Sequence, residues 1–147
     1  MADNLTKAQR SYCMSRVRGK DTLLEKRVRS ALHAHGLRFR KHVAGLPGKP
    51  DVVFPTEMIA IFIDGDFWHG WRFPRWKEDL SRFWQDKIEK NRQRDRRNFR
   101  RLRGRGWYVI RLWQHELEAE FDGALARLLE LVQNRRDTLT TDCRRRS

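Results

Sequence analysis

Two short apolar segments, each with a carboxylate at one end, constrain the fold of this chain more than any other feature. The first spans residues 50–54 and carries Asp51 near its start. The second spans residues 58–63 and is followed directly by Asp64 and Asp66. Both are rich in β-branched and aromatic side chains, so the pattern predicts two strands joined by a tight turn. Paired strands that present carboxylates at one edge provide the oxygen ligands that Mg²⁺ prefers. The alternative is that Asp64 and Asp66 are only turn residues.

The charge of the chain indicates its kind of partner. The 147 residues include 33 Lys or Arg and 19 Asp or Glu, which gives a formal net charge of +14. Such an excess is typical of proteins that bind nucleic acid or another anionic surface. The length fits one domain with a proper hydrophobic core.

Neither a membrane segment nor a metal site built on cysteines is expected. The N-terminal residues are polar, and no apolar run is long enough to span a bilayer or to form a signal peptide. The sequence therefore predicts a soluble, cytoplasmic protein. Cys13 and Cys143 are too few for a disulfide framework or for a Cys-rich zinc site.

The order of the predicted elements indicates the fold class. The patterns predict, in chain order, a short basic helix over residues 5–18, a helix from the capping box at 22–25 to Gly36, a strand over 37–42, the two central strands, an aromatic-rich loop after residue 69, a long helix over about 77–103, a strand over 107–113 and a helix over 118–133. We expect an α/β protein whose central mixed sheet is flanked by helices, in a single domain over residues 1–133. Residues 134–147 show no periodicity and are predicted to form a basic, disordered tail.

A strongly basic run lies in the long predicted helix. Residues 87–105 contain ten Lys or Arg against two acidic residues, Glu89 and Asp95. The run can be a solvated helix face, but its charge exceeds what solubility requires. We therefore expect it to contact DNA phosphates, which supply the sequence-independent part of DNA affinity.

Acidic residues and one histidine suggest the chemistry. Hydrolysis of a phosphodiester needs a cation that polarises the phosphate, an activated water and a proton donor for the leaving oxygen. The residues that can supply these groups are Glu25, Asp51, the Asp64 and Asp66 pair, and His69.

A series of motifs runs through most of the chain. They are Leu-Pro-Gly-Lys-Pro-Asp at 46–51, Phe-Ile-Asp-Gly at 62–65, Phe-Trp-His-Gly at 67–70, Phe-Trp at 83–84 with Lys87, Ile88 and Asn91, Arg-Asp-Arg-Arg at 94–97, Gly-Trp at 106–107, and Trp113. Over roughly residues 6–117 the sequence resembles the very-short-patch repair (Vsr) endonuclease family. The resemblance implies a restriction-endonuclease-like fold of the PD-(D/E)XK type. It also implies Mg²⁺-dependent nicking of one strand of double-stranded DNA, 5′ to the thymine of a T:G mismatch.

The resemblance implies a metal site beside a catalytic histidine. Asp51 would be the metal-binding carboxylate, and the backbone carbonyl of Ile63 would be a second ligand. His69 would be the general base or would orient the attacking water, although a histidine at a strand edge can be merely a hydrogen-bonding residue. Asp64 occupies an active-site position at which the family also has histidine.

Two further acidic residues, Glu25 and Asp95, match active-site positions of the family. Each also has a structural alternative. Glu25 completes the capping box that begins at Thr22, and Asp95 can offset the neighbouring arginine charges along its helix.

Aromatic residues are implied to wedge into DNA beside the mismatch. Phe67, Trp68 and Trp84 match the wedge positions of the family, and insertion costs least at a mispaired step. Core packing is the alternative, above all for Trp84. The other residues that we expect on the DNA are Met14, Arg16, Arg18, Lys87, Lys90, Asn91 and Arg94.

The sequence departs from the family at its structural zinc site. Asp66 stands where the first zinc-binding cysteine is expected, and Trp71 and Phe73 occupy the following loop. His115 alone remains as a candidate ligand. Because a structural zinc site needs four ligands, we expect no structural zinc. Apolar packing by Trp71 and Phe73 would then hold the loop.

Three functions are consistent with the sequence. The first is repair of T:G mismatches, with mismatch-repair accessory proteins as further partners. The second is a restriction or defence nuclease that acts on other DNA targets, and the third is a catalytically silent DNA-binding module. His69 and the acidic residues favour an enzyme, since DNA binding alone does not require them. We expect a nucleoid-associated monomer, because nicking one strand requires one active site.

Overall fold

The structure, a computed structural model, describes residues 23–66 and 69–146. Its elements are α1 (Leu23–Ala34), β1 (Arg40–Lys41), β2 (Val52–Phe54), β3 (Ile59–Asp64), α2 (Phe73–Trp76), a 3₁₀ turn (Lys77–Asp79), α3 (Arg82–Gly104), β4 (Tyr108–Trp113), α4 (Gln114–Ala119) and α5 (Phe121–Arg146). The predicted basic helix over residues 5–18 and the start of the predicted capping box at Thr22 lie outside the described residues.

The strands form a mixed sheet, as predicted. Within the described ranges the sheet has four strands in the order β1-β2-β3-β4. The β1/β2 and β2/β3 pairs are antiparallel, and β3/β4 is parallel. Because β2 and β3 are antiparallel neighbours, the start of β2 and the end of β3 lie at the same edge of the sheet. Asp51 and Asp64 therefore meet at this edge.

Helices cover both faces of the sheet. On one face, α1, α4 and α5 bury their apolar side chains against β2, β3 and β4 in the main core. The buried residues of this core are Leu24, Val28, Leu32, Val52, Phe54, Ile59, Ile61, Ile110, Leu112, Leu117, Ala124, Leu128 and Val132. On the other face, Phe99 and Leu102 of α3 pack against Ala60 and Phe62 of β3. The long basic helix α3 therefore lies across the sheet from α1 and α5.

The region after His69 is more regular than predicted. It contains α2 and the 3₁₀ turn, and α3 begins at Arg82 rather than near residue 77, since Leu80 has an extended backbone. Phe83, in the first turn of α3, is 64% exposed. The strand predicted over residues 37–42 is confined to Arg40–Lys41.

The prediction of a disordered tail from residue 134 is wrong for the residues that the structure describes. Helix α5 continues to Arg146. Arg136 Nε donates to Glu57 Oε1 at 2.7 Å, and Arg135 Nε donates to the Glu57 carbonyl at 2.9 Å. These contacts attach α5 to the β2–β3 turn. The composition of residues 134–147 alone does not indicate them. None of the described helices is long and apolar enough to cross a bilayer.

Gly70, directly after His69, lies where a side chain does not fit. Its φ is +70°, and an added Cβ would lie 2.6 Å from Arg92 Cδ and 2.9 Å from Ile88 Cγ2. We expect Gly70→Ala to lower the free energy of unfolding by about 1–2 kcal/mol for the left-handed backbone and by roughly 1–3 kcal/mol more for the overlap. Urea denaturation measures the loss.

Gly36→Ala is the matched control for this prediction. Gly36 follows α1 with a φ of +74°, and none of the described atoms lies within 4 Å of its added Cβ. The control therefore carries the backbone cost without the overlap, and the Gly70 variant should be the less stable of the two. Equal losses would show that Arg92 and Ile88 move aside at no cost.

Candidate active site

A cavity of about 630 Å³ opens at the sheet edge where β2 begins and β3 ends. All five predicted catalytic residues line it, namely Glu25, Asp51, Asp64, His69 and Asp95. So do three residues of α3 that we expected on the DNA, Lys87, Asn91 and Arg94. Lys90 is exposed on the same helix. The chain therefore combines acidic groups, an imidazole and basic side chains around one opening.

The Asp51 carboxylate is held by the backbone of the neighbouring strand. The Ile63 N–H donates to Asp51 Oδ2 at 2.7 Å, and the Asp51 N–H donates to the Ile61 carbonyl at 3.0 Å. The side chain thus lies directly beside the main chain of Ile63, the residue predicted to provide the second ligand. Pro50 precedes Asp51 and has no N–H to donate to the sheet.

Glu25 and His42 lie next to Asp51. His42 Nε2 is 3.0 Å from Glu25 Oε2, and Glu25, His42 and Asp51 each have a possible ligand atom within 4.8 Å of the others. Mg²⁺ takes one or two protein carboxylates and keeps several waters. The carboxylates of this cluster fit such a cation.

Burial makes the Asp51 carboxyl a weak acid in the metal-free protein. It raises the pKa of Asp51 to about 7, and the nearby Glu25 and Asp64 carboxylates act in the same direction. The hydrogen bond from Ile63 and the His69 ring oppose the rise only in part. A cation bound beside Asp51 would offset this cost of ionisation.

The raised pKa of Asp51 predicts a pH-dependent stability. In the unfolded chain the carboxyl ionises near its ordinary value of 3.8, so between about pH 4 and pH 7 the folded state holds the extra proton. As the pH rises over this range, we expect the free energy of unfolding of the metal-free wild type to fall by up to about 1.4 kcal/mol per pH unit relative to that of Asp51→Asn. Urea denaturation in a chelating buffer measures both proteins, and parallel pH curves would contradict the prediction.

His69 lies between two carboxylates. Its Nδ1 is 2.7 Å from Asp95 Oδ2, and its Nε2 is 3.3 Å from Asp64 Oδ1. Burial alone would raise the pKa of Asp95, but the bond to His69 and the charges of His69 and Arg111 lower it on balance. An ionised carboxylate only accepts hydrogen bonds, so Nδ1 carries the proton and donates to Asp95. Nε2 is therefore the titrating nitrogen of the ring.

The two carboxylates also set the basicity of His69. Burial lowers the pKa of the ring, but the hydrogen bond to Asp95 and the charge of Asp64 outweigh it, so the pKa is raised. Burial raises the pKa of Asp64 as well, although His69 and Arg111 pull it down in part. The ring is thus fixed in orientation and gains its free base form at higher pH than an ordinary histidine.

Two residues at the site were missed from the sequence. Arg111 donates from Nε to Asp64 Oδ2 at 2.7 Å and from Nη2 to Asp95 Oδ2 at 2.8 Å. His42 pairs with Glu25. An arginine inside the apolar strand at 107–113 is a signal that could have indicated a buried ion pair, since charged residues are rarely buried without a partner.

The predicted aromatic wedge is described in part. Phe67 and Trp68 lie outside the described residues, as do Met14, Arg16 and Arg18. Trp84 is half-buried and packs against a small apolar cluster, which consists of Phe73, Leu80 and Ile88. This contact favours the packing alternative for Trp84.

Hydrogen bonds and ring contacts hold the segment in which the resemblance led us to look for zinc ligands. His115 Nδ1 is 2.8 Å from Asp66 Oδ1, and the His115 ring lies 3.9 Å from the Trp71 ring, measured between centroids. Trp76 Nε1 donates to the Trp71 carbonyl at 2.9 Å, and Phe73 is buried in the small apolar cluster. Asp66 is thus directed to His115 at the start of α4. The expected absence of zinc stays a prediction.

Comparisons with known proteins identify the family. The family model described as DNA mismatch endonuclease Vsr matches residues 2–75. The type II nicking enzyme V.XorIIP of Xanthomonas oryzae pv. oryzae is 45% identical over 119 residues, which cover 80% of this chain and 88% of the relative. The DNA mismatch endonuclease Vsr of Escherichia coli K12 is 42% identical over 135 residues, 88% of this chain and 86% of the relative. The type II nicking enzyme V.NmeDIP of Neisseria meningitidis is 39% identical over 118 residues, 78% of this chain and 80% of the relative. The chain therefore belongs to the Vsr family of DNA endonucleases.

Proposed function

We propose that the protein nicks one strand of duplex DNA in a Mg²⁺-dependent reaction, 5′ to the thymine of a T:G mismatch, within a restriction-endonuclease-like fold. The observation that supports this best is the shared cavity of Asp51, Asp64, His69 and Asp95, bordered by basic residues of α3. The E. coli relative carries the name of a mismatch endonuclease. Short-patch repair of deaminated methylcytosine is the corresponding biological role.

Asp51 and the Ile63 carbonyl would hold the cation, with Glu25 nearby. Mg²⁺ at this position would polarise the scissile phosphate and make a bound water more acidic. The partly buried Asp51 carboxyl would provide negative charge for the cation once it ionises, and its bond to the Ile63 N–H keeps it at the strand edge. The fold thus sets the position of the carboxyl that would hold the cation.

His69 would take the proton from the attacking water. Its Nδ1–H is fixed by Asp95, so Nε2 is the nitrogen that accepts the proton. Asp64, on the other side of the ring, stabilises the imidazolium that forms. The ring is oriented before substrate binds, which lowers the entropic part of the barrier.

The basic residues of α3 would place the phosphate backbone over this cavity. Lys87 and Arg94 line it, and Asn91 between them offers a neutral hydrogen-bonding group. Phe67 and Trp68, just before His69 in the chain, would wedge beside the mismatch. One active site suffices for one nick, so we propose a monomer in the cytoplasm.

Nicking assays on matched oligonucleotide duplexes test the proposal. Duplexes that carry a T:G mismatch, the corresponding T:A and C:G pairs, or another mismatch are incubated with Mg²⁺ at fixed ionic strength, because affinity depends steeply on salt. We expect one nick, 5′ to the mismatched thymine, and little cleavage of the paired duplexes. Equal nicking of all duplexes, or cutting of both strands, would refute the proposed substrate.

A second candidate is a nicking enzyme for other DNA targets. Two of the three relatives reported above are named type II nicking enzymes, and that name does not specify a mismatch. Replacement of the structural zinc ligands by Asp66 and the aromatic loop also changes the segment beside the proposed wedge. Nicking of a paired or differently modified sequence in the same assay would favour this candidate.

A further inference from the structure

Arg111 is a charged residue in the interior of an apolar strand. In β4 its neighbours Ile110 and Leu112 are buried in the main core. Side chains alternate along a strand, so Arg111 lies on the opposite face, under α3. In the parallel pairing of β3 and β4 it stands opposite Phe62, next to the strand end that carries Asp64. The register thus directs its guanidinium toward the active-site cavity.

The guanidinium joins the two carboxylates that flank His69. Nε donates to Asp64 Oδ2 at 2.7 Å, and Nη2 donates to Asp95 Oδ2 at 2.8 Å. The same Asp95 oxygen lies 2.7 Å from His69 Nδ1, while the other oxygen of Asp64 lies 3.3 Å from His69 Nε2. Arg111 and His69 therefore share both carboxylates, one on β3 and one on α3.

Two aromatic rings hold the guanidinium in place. Its central carbon lies 4.1 Å from the centroid of the Trp113 ring and 5.1 Å from that of Phe99. A planar guanidinium packs on aromatic faces and still donates from its edge, whereas an ammonium is a point charge. The donors of Arg111 are thus fixed before DNA or a cation binds.

The burial of Asp64 explains why a guanidinium lies beside it. Its side chain is 7% exposed, and a charged group at such a depth is costly unless it is paired and hydrogen-bonded. Arg111 supplies the missing partner from a strand distant in sequence.

We propose that Arg111 is a positioning residue, which holds Asp64 and Asp95 on the two sides of His69 and so orients the imidazole for catalysis. Arg111 does not touch the reacting atoms in this role and acts through the two carboxylates. The inference rests on the proposed function of His69 as the proton acceptor.

The test compares Arg111→Met with wild type in the full chain. Methionine keeps much of the side-chain volume between the rings but has no donor. We expect the single-turnover nicking rate at saturating T:G duplex to fall by about 10- to 100-fold, the effect typical of losing a supporting contact, while the Kd for DNA changes by less than about twofold. The His69 Nδ1–H proton resonance, assigned by its loss in His69→Gln, should shift or broaden.

Two further variants control for the loss of a positive charge and for misfolding of Arg111→Met. Arg127→Met removes one positive charge from an exposed arginine that pairs with Glu116, and it should leave rate, Kd and resonance unchanged. Arg111→Lys keeps the charge but cannot bridge two carboxylates with a planar fork, so we expect a displaced resonance and a reduced rate here too. This variant decides the question if Arg111→Met does not fold.

Three results would overturn the inference. The first is a wild-type rate and resonance in Arg111→Met. The second, which applies if Arg111→Met does not fold, is a wild-type rate and resonance in Arg111→Lys. The third is a rate loss matched by an equal loss of DNA affinity with an unchanged resonance, which would make Arg111 a phosphate ligand. If wild type does not nick any duplex, the proposed function fails, but the resonance still reports whether Arg111 orients His69.

Discussion

Asp51→Asn is expected to reduce the nicking rate on the order of a thousandfold, while the protein still binds DNA. Asparagine keeps an oxygen that can accept the hydrogen bond from the Ile63 N–H, so the strand edge retains its geometry. It removes the negative charge that would hold the cation. Single-turnover nicking at saturating Mg²⁺ measures the rate, and fluorescence anisotropy in a chelating buffer measures DNA binding.

Asp142→Asn provides the control for this charge change. Asp142 is exposed near the end of α5, in the part of that helix that follows the contacts with Glu57. The β2–β3 turn that contains Glu57 lies at the opposite end of β2 from Asp51. The control should nick at the wild-type rate. An Asp51 variant that nicks as fast as this control would show that the cation, if any, is bound elsewhere.

His69→Gln is expected to reduce the nicking rate by about 10²- to 10⁴-fold and to abolish its pH dependence. Since Asp95 and Asp64 raise the pKa of His69 on balance, its base form appears as the pH rises through a value above the ordinary 6.5. The wild-type rate should therefore increase with pH through that range. The rate of the variant should lack this step, because glutamine does not titrate.

A pH–rate profile with His35→Gln as the control distinguishes the loss of the His69 base from the loss of an ordinary exposed histidine. His35 is exposed after α1, at the end of that helix away from Glu25. The control should reproduce the wild-type profile. Retention of the same pH step in the His69 variant would assign the titration to another group and refute the role of His69 as the base.

Much of the fold around the site could be predicted from local patterns. β-Branched residues and turn formers next to each other in the chain indicate β2 and β3. The tight turn between them implies antiparallel pairing, which brings Asp51 and Asp64 to one edge. The apolar spacing of the long helix indicates α3 although it did not locate its first residue, because the break at Leu80 depends on a backbone conformation rather than on composition.

Other features depend on contacts between residues that are distant in sequence. Arg111 and Asp64 are 47 positions apart, and the parallel register of β3 and β4 decides that they meet. Arg136 and Glu57 are 79 positions apart, and their ion pair accompanies a helix where composition indicated disorder. Trp84 fits equally well as a wedge or as a packing residue until its neighbours Phe73 and Leu80 are known.

The sequence by itself determined the strands, the carboxylate edge, the basic helix and the family, because these follow from side chains that are near one another in the chain or from motifs in a fixed order. The tertiary structure decided which partner each buried or partly buried ionisable side chain has, namely Asp95 for His69, Arg111 for Asp64 and His115 for Asp66. The physical reason is that burial makes an unpaired charge costly, and only the packing of distant elements determines which opposite charge is close enough to pair with it.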